Sequence, residues 1–152
     1  MTNDDIAREI LRASSYVVLA TADADGVPWA SPVWFAMADD PELYWVSYSG
    51  ARHSQNIAVR PQIAMVVFDS TVAPGSGQGV YLTATAAQLT ESGAIERGLA
   101  VFARESVRDG ARGFGLDEVT GQARLRLYRA SVQECWILDP DSPFDVRIGV
   151  TP

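Results

Sequence analysis

Residues Leu43–Ile57, LYWVSYSGARHSQNI, decide how the rest of the chain is to be read. Leu43–Val46 is aromatic and β-branched, the composition of a strand, and Ser49-Gly50 ends it. Arg52, the chain's only histidine His53, Ser54 and Asn56 follow at once, placing a guanidinium fork, an imidazole, a hydroxyl and an amide just past a strand end, at a helix start. A phosphate needs several converging N–H and O–H donors, and the first turn of a helix adds its own free amides. The stretch therefore fits a phosphate site. A solvated basic loop is the plainer reading of the same residues, and both stay open on this stretch alone.

The chain has 152 residues, room for one domain with a full core, so residues 1–152 are read as a single unit. Hydrophobic residues make up 47% and charged residues 20%, which is ordinary globular composition. The net charge of −7 makes the molecule as a whole repel nucleic acid and anionic membrane, so neither is expected as a partner. One cysteine, Cys135, excludes an intramolecular disulfide. The start MTNDDIAREI is acidic where a signal peptide is basic and then apolar, and no apolar run approaches the ~18 residues of a membrane span. The expected location is cytoplasmic.

In chain order, Asn3–Ala13 reads as an amphipathic helix capped by Thr2 or Asn3, with Asp4 and Asp5 at its positive end, packed as a lid on the main body. Tyr16–Thr21 is a compact strand, and Asp23-Ala24-Asp25-Gly26 a hairpin turn. The returning strand Val27–Ala38 contains Pro28 and Pro32, which cannot donate to a ladder, so a bulge or an unpaired stretch is expected there. Ile63–Phe68 is almost wholly apolar and reads as a buried strand. Thr71–Gly79 reads as a mobile loop, Val80–Leu89 as a strand, Glu91–Arg104 as a helix with Ile95, Leu99 and Phe102 on one face, and Ser106–Gly121 as loop. Ala123–Leu138 alternates polar and apolar residues like an antiparallel strand with one wet face, and Asp139–Pro152 has little periodicity.

Six or so antiparallel strands with a few short helices predict a mainly β protein built on a closed or nearly closed barrel. One histidine and one cysteine cannot furnish a His/Cys metal centre, and the acidic residues lack metal-ligand spacing, so no metal is expected. Dinucleotide, P-loop and nucleophile-elbow motifs do not occur.

The succession of short helix, D-x-D-G hairpin, WASPVWF strand, LYWVSYSGARHSQNI and RPQIAMVVFD resembles the pyridoxamine 5′-phosphate oxidase-like flavin-binding split barrels. It covers most of the chain, nearly continuously from Ile10 to Leu89 and again around Cys135-Trp136. The resemblance implies a homodimeric six-stranded antiparallel split barrel that binds FMN, or in some branches a deazaflavin or haem, in a cleft between subunits. It matches the strand that lines the flavin ring to Ser31–Ala36, including Ser31, Pro32, Val33 and Trp34. It matches the end of the next strand to Val46 and Ser47. The phosphate-gripping Arg-Lys pair becomes Arg52 and His53, a departure that makes the second charge conditional on pH, with Ser54 beside them as a further donor. Gln78 is the nearest counterpart of the family's glutamine, Trp136 of its C-terminal tryptophan, and Arg147 of a following arginine. The lysine that holds pyridoxamine phosphate in the true oxidases falls at Ala36, which argues against a vitamin B6 oxidase.

Two classes of function follow. One is an FMN-dependent oxidoreductase acting on a small-molecule substrate, with Thr71–Gly79 controlling access; the other is a non-catalytic carrier of FMN or haem. A deazaflavin-dependent reductase is a third possibility. Core or interface packing is the plainer role for Trp29, Trp34, Trp45 and Trp136, and an inert buried position for Cys135.

Overall fold

The structure, a computed structural model, describes all residues from Met1 to Pro152. The first helix, α1 (Asn3–Ala13), opens with a capping box: Thr2 Oγ1 accepts the Asp5 amide, and the Asp5 carboxylate accepts the Thr2 amide. Its Ala7 and Leu11 are buried, and it packs against the strands β4 (Gln62–Phe68), β5 (Gly79–Gln88) and β6 (Leu125–Leu138).

Strand β1 (Tyr16–Ala22) turns at Asp23–Gly26 into β2 (Pro28–Met37), with Gly26 at φ 83°, a left-handed conformation that favours glycine. β3 (Glu42–Tyr48) follows, then α2 (Arg52–Val59). The sheet runs β3-β2-β1-β4-β5-β6, and β6 returns to pair with β3, closing a six-stranded antiparallel barrel. The 14 residues of β6 make closure possible. Its first half pairs with β3 from Leu125↔Tyr48 to Ser131↔Glu42, while Tyr128–Ile137 run along β5. Inward-facing Leu19, Phe35, Trp45, Val67, Leu82 and Ile137 fill the interior.

Three expectations change, and a fourth resolves to one of its two alternatives. At the prolines no bulge forms, since β1 and β2 stay in register from Tyr16↔Trp34 to Ala22↔Pro28, and the stretch is instead unpaired along its other edge. The Phe35 amide donates to Ser15 O, so odd-numbered residues of β2 bond to β1 and the nitrogens of Pro28 and Pro32 point to the other edge. β3 reaches only Phe35–Met37 of that edge, so neither proline breaks a ladder. β4 is buried on one face only, with Ile63, Met65 and Val67 inside and Phe68 exposed. The second long helix, α3 (Ser92–Asp109), runs past Arg104 to a left-handed Gly110 cap. Finally, the tail adds β7 (Arg147–Gly149), paired with the end of β6.

α3 lies over β2, β3 and β6, and Gly98 lets it come close: a Cβ there would stand 2.6 Å from Leu127 and 2.8 Å from the Tyr44 ring. Under it Trp34 meets Phe102 edge-on at 5.2 Å, and the Trp34 Nε1–H donates to Asp109 at 2.7 Å. No helix is long and apolar enough to cross a membrane.

Candidate functional site

β2 and β3 pair only at Phe35–Met37 and then diverge, so from Pro28 to Val33 the edge of β2 that faces away from β1 has no strand partner. The Ala30 amide and carbonyl and the Pro32 carbonyl are left unpaired by any strand. α2 sits at this split, because the Tyr48–Ala51 turn, closed by the Ala51 amide on Tyr48 O, reverses the chain straight into it.

Three of the five polar residues of α2 turn inward. The His53 ring is buried at 8% exposure and spans the split, its Nδ1 3.2 Å from Ser31 Oγ and its Nε2 2.9 Å from Ser47 Oγ. Each ring nitrogen is within hydrogen-bond reach of a hydroxyl, and burial, which disfavours the charged ring, lowers the pKa of His53 below its ordinary 6.5. The histidine is expected from the sequence to offer the phosphate a second charge conditional on pH; the ring instead turns inward between two hydroxyls, where burial disfavours its charged form. Ser54 Oγ donates to Tyr48 O at 2.9 Å, and Asn56 Nδ2 donates to Thr21 Oγ1 at 3.0 Å. Arg52 and Gln55 turn outward, the Arg52 guanidinium 4.4 Å from the centre of the Trp29 ring. No side chain caps the start of α2, and the first of its amides to bond within the chain is that of Gln55, to Ala51 O. A guanidinium and uncapped helix amides thus stand together beside an open strand edge, which is a donor set for an oxyanion.

The remaining expected residues divide. Val33 faces the core, and its amide belongs to the β1 ladder. Trp34 is committed to the Phe102–Asp109 contact under α3, and Val46 is half-buried against the core. Pro32 borders an open groove of about 680 Å3 on the outside of β1 and β4, walled by Ile10, Tyr16, Val66 and Phe68. Gln78 reaches the same groove, but its amide staples β5 to β6: Oε1 accepts the Gly79 and Leu138 amides, and Nε2 donates to Leu138 O at 2.8 Å. This tie anchors the end of the Thr71–Gly79 stretch, whose Gly79 is already the buried first residue of β5.

Trp136 lies elsewhere, on the outer face of β6 opposite Tyr81 of β5, and Arg147 of β7 places its guanidinium 4.2 Å from the Tyr81 ring. Sequence reasoning missed Tyr81. Only the β5–β6 register shows it beside Trp136. β1 and β4 separate this second cluster from Arg52, and their outer face carries Tyr16, 64% exposed, and Phe68, 50% exposed. No group of three histidine, cysteine or acidic side chains is placed to hold a metal.

The sequence pattern of the pyridoxamine 5′-phosphate oxidase family matches residues 4–137. Among curated proteins, none matches the sequence closely enough to count as a relative. The fold is similar to HutZ, the haem storage protein from Vibrio cholerae, with TM-score 0.68 and 23% identity over 88% of this chain and 92% of that one. A haem-binding protein from Mycobacterium smegmatis has TM-score 0.74 and 15% identity, over 98% of this chain and 58% of that one. An F420 reductase has TM-score 0.62 and 18% identity, over 84% and 94%. At these identities the likeness is one of fold. With the family pattern running through nearly the whole barrel, this chain belongs to the pyridoxamine 5′-phosphate oxidase family.

Proposed function

We propose that the protein is an FMN-binding oxidoreductase of the cytosol, acting on a small molecule as a homodimer. The observation that carries this reading is the donor set at the split: Arg52 and the uncapped first turn of α2 beside the unpaired edge of β2. These groups fit a phosphate monoester at Arg52 and a flat polar ring laid along the strand edge, where the Ala30 and Pro32 backbone groups await partners. A bound flavin would supply the hydride or electron transfer; the chain supplies position. His53 locks Ser31 to Ser47 and so fixes the width of the split, while Trp29 holds the Arg52 guanidinium at the rim.

Dimerisation is supported by the division of the site. The Arg52 cluster and the Trp136–Tyr81–Arg147 cluster lie apart on one chain, with the exposed apolar face of β1 and β4 between them. A two-fold axis through that face would bury Tyr16 and Phe68 and bring one subunit's Arg52 towards the other's Trp136. Haem carriage is less well supported. His53 has both ring nitrogens engaged and Cys135 is buried, so neither is free as an axial ligand.

Mass spectrometry of the ligand released on denaturation tests the cofactor, and FMN is the expected species. A released deazaflavin or haem would overturn it. The site is tested by titrating FMN and riboflavin against wild type and Arg52→Ala. A charge-assisted hydrogen bond contributes about 1.5–3 kcal/mol, so FMN should weaken by roughly one to two powers of ten while riboflavin barely changes. Equal loss for both would remove the phosphate from Arg52.

A further inference from the structure

At the far end of β2 from Ser31, a second concavity of about 360 Å3 opens between α1, α3 and the β2–β3 turn. Its floor is apolar, made by Leu11, Phe35 and Met37, and its rim carries four arginines, Arg8, Arg12, Arg104 and Arg108, against the Asp39 and Glu105 side chains and the terminal residue Pro152. The whole chain has 12 basic residues and a net charge of −7, so four converging guanidiniums are a local reversal of the molecule's field.

Three of these arginines already have structural work. Arg108 caps the end of α1 through the Arg12 and Ser14 carbonyls and pairs with Glu105 at 2.9 Å. Arg104 donates to Met37 O and lies 3.5 Å from Asp39, and Arg8 pairs with Asp5 and donates to Thr151 O. Arg12 differs. Its backbone carbonyl is used, but its guanidinium has no hydrogen bond, ion pair or aromatic partner, although it stands on the rim. A fork with five donors and no acceptor, above an apolar floor and between partly neutralised cations, matches a small organic anion with an oxyanion head and a compact apolar body.

We propose that this concavity binds such an anion, a phosphate monoester with an aryl or short alkyl group. Its head lies on Arg12 with support from Arg8 and Arg104, and its body lies against Met37, above the buried Phe35. The site is distinct from the one at Arg52. Six residues of β2 separate Met37 from Ser31, about 20 Å of extended strand, so the two anions would bind without touching.

Phenyl phosphate is the probe, followed by calorimetry and by the methyl resonance of Met37, with phenol and inorganic phosphate as controls. Phenyl phosphate should bind saturably and shift the Met37 methyl; phenol should do neither, and inorganic phosphate should bind more weakly for want of the apolar floor. Arg12→Gln and Arg12→Glu, which remove no contact of the fold, should weaken phenyl phosphate by roughly tenfold and more than tenfold respectively. Arg52→Ala should leave it unchanged. Unaltered affinity in both Arg12 variants, or a Met37 methyl that stays fixed at saturating probe, would overturn the proposal. Loss of binding in Arg52→Ala would overturn it too, by placing the probe at the other site.

Discussion

His53→Ala separates two roles for this residue. A histidine turned outward to a phosphate could be removed with little effect on the cofactor-free protein, because exposed substitutions usually change stability by less than about 0.5 kcal/mol. The fold instead buries the ring between Ser31 and Ser47, so truncation leaves two hydroxyls without their partner and opens a space at the end of the barrel. An unsatisfied buried polar group costs about 1–3 kcal/mol, and the lost packing adds to it, giving a total of about 2–4 kcal/mol. At about 2–4 °C per kcal/mol for a chain of this size, the Tm of the cofactor-free protein should fall by about 4–16 °C. His53→Gln, which can keep one of the two bonds, should fall by less.

Acid provides a second arm to the same test. Burial lowers the folded-state pKa of His53 below 6.5, so the unfolded chain binds the extra proton first. The contribution is intact above pH ~6.5 and is lost as pH falls below that value, with a limiting slope of about 1.4 kcal/mol per pH unit. His53→Gln should lack this part of the acid sensitivity. The assay is thermal and urea unfolding of the flavin-free proteins between pH 5 and 8. A flavin-free His53→Ala as stable as wild type would refute the buried bridge.

Gly98→Val should destabilise by at least about 2 kcal/mol in urea, because the new side chain meets Leu127 and Tyr44 under α3. Gly50→Ala should stay within about 0.5 kcal/mol, since the atoms nearest its Cβ belong to the Tyr48 side chain, which is 52% exposed and can swing away. Asp109→Asn should lower stability at neutral pH by about 1–2 kcal/mol, as it weakens the anchor of Trp34 and Ser15. Burial alone would raise the Asp109 pKa, but hydrogen bonds from Trp34, Arg108 and Ser15 outweigh it and hold the carboxyl below 3.8. That contribution persists above this range and is lost as pH falls through the lowered value, so the gap between wild type and Asp109→Asn should narrow in strong acid.

Local chemistry was legible in the sequence wherever it was local in cause. The Thr2 cap, the Gly26 hairpin and the break at Ser49-Gly50 before α2 each rest on neighbouring residues and appear where those residues demand them. What depends on distant pairing was not legible. A closed or nearly closed barrel is expected from the strand count, but the means of closure, β6 serving two neighbours at once, is revealed by no window of Ala123–Leu138. The apolar run of β4 reads as a buried strand, yet on its outer face Ala64 and Phe68 are exposed and Val66 only half-buried. α3 outran its expected end because the glycines at 110, 113 and 115 suggested loop, whereas Gly110 is the cap of a longer helix. In the site, proximity in sequence made Arg52 and His53 look like a pair. The divergence of β2 from β3 sends one out to Trp29 and the other in to Ser31 and Ser47.

The central claim is a cofactor site completed across two subunits, and a mixed dimer tests it most directly. Arg52→Ala and Trp136→Ala subunits, carrying different tags, are co-expressed and the heterodimer is isolated by sequential affinity steps. Each variant homodimer has two damaged sites, whereas the heterodimer has one doubly damaged site and one intact site. Bound FMN should therefore be low in both homodimers and rise to one per dimer in the mixture, with the wild-type affinity. A heterodimer that holds no more FMN than the two homodimers would contradict the account.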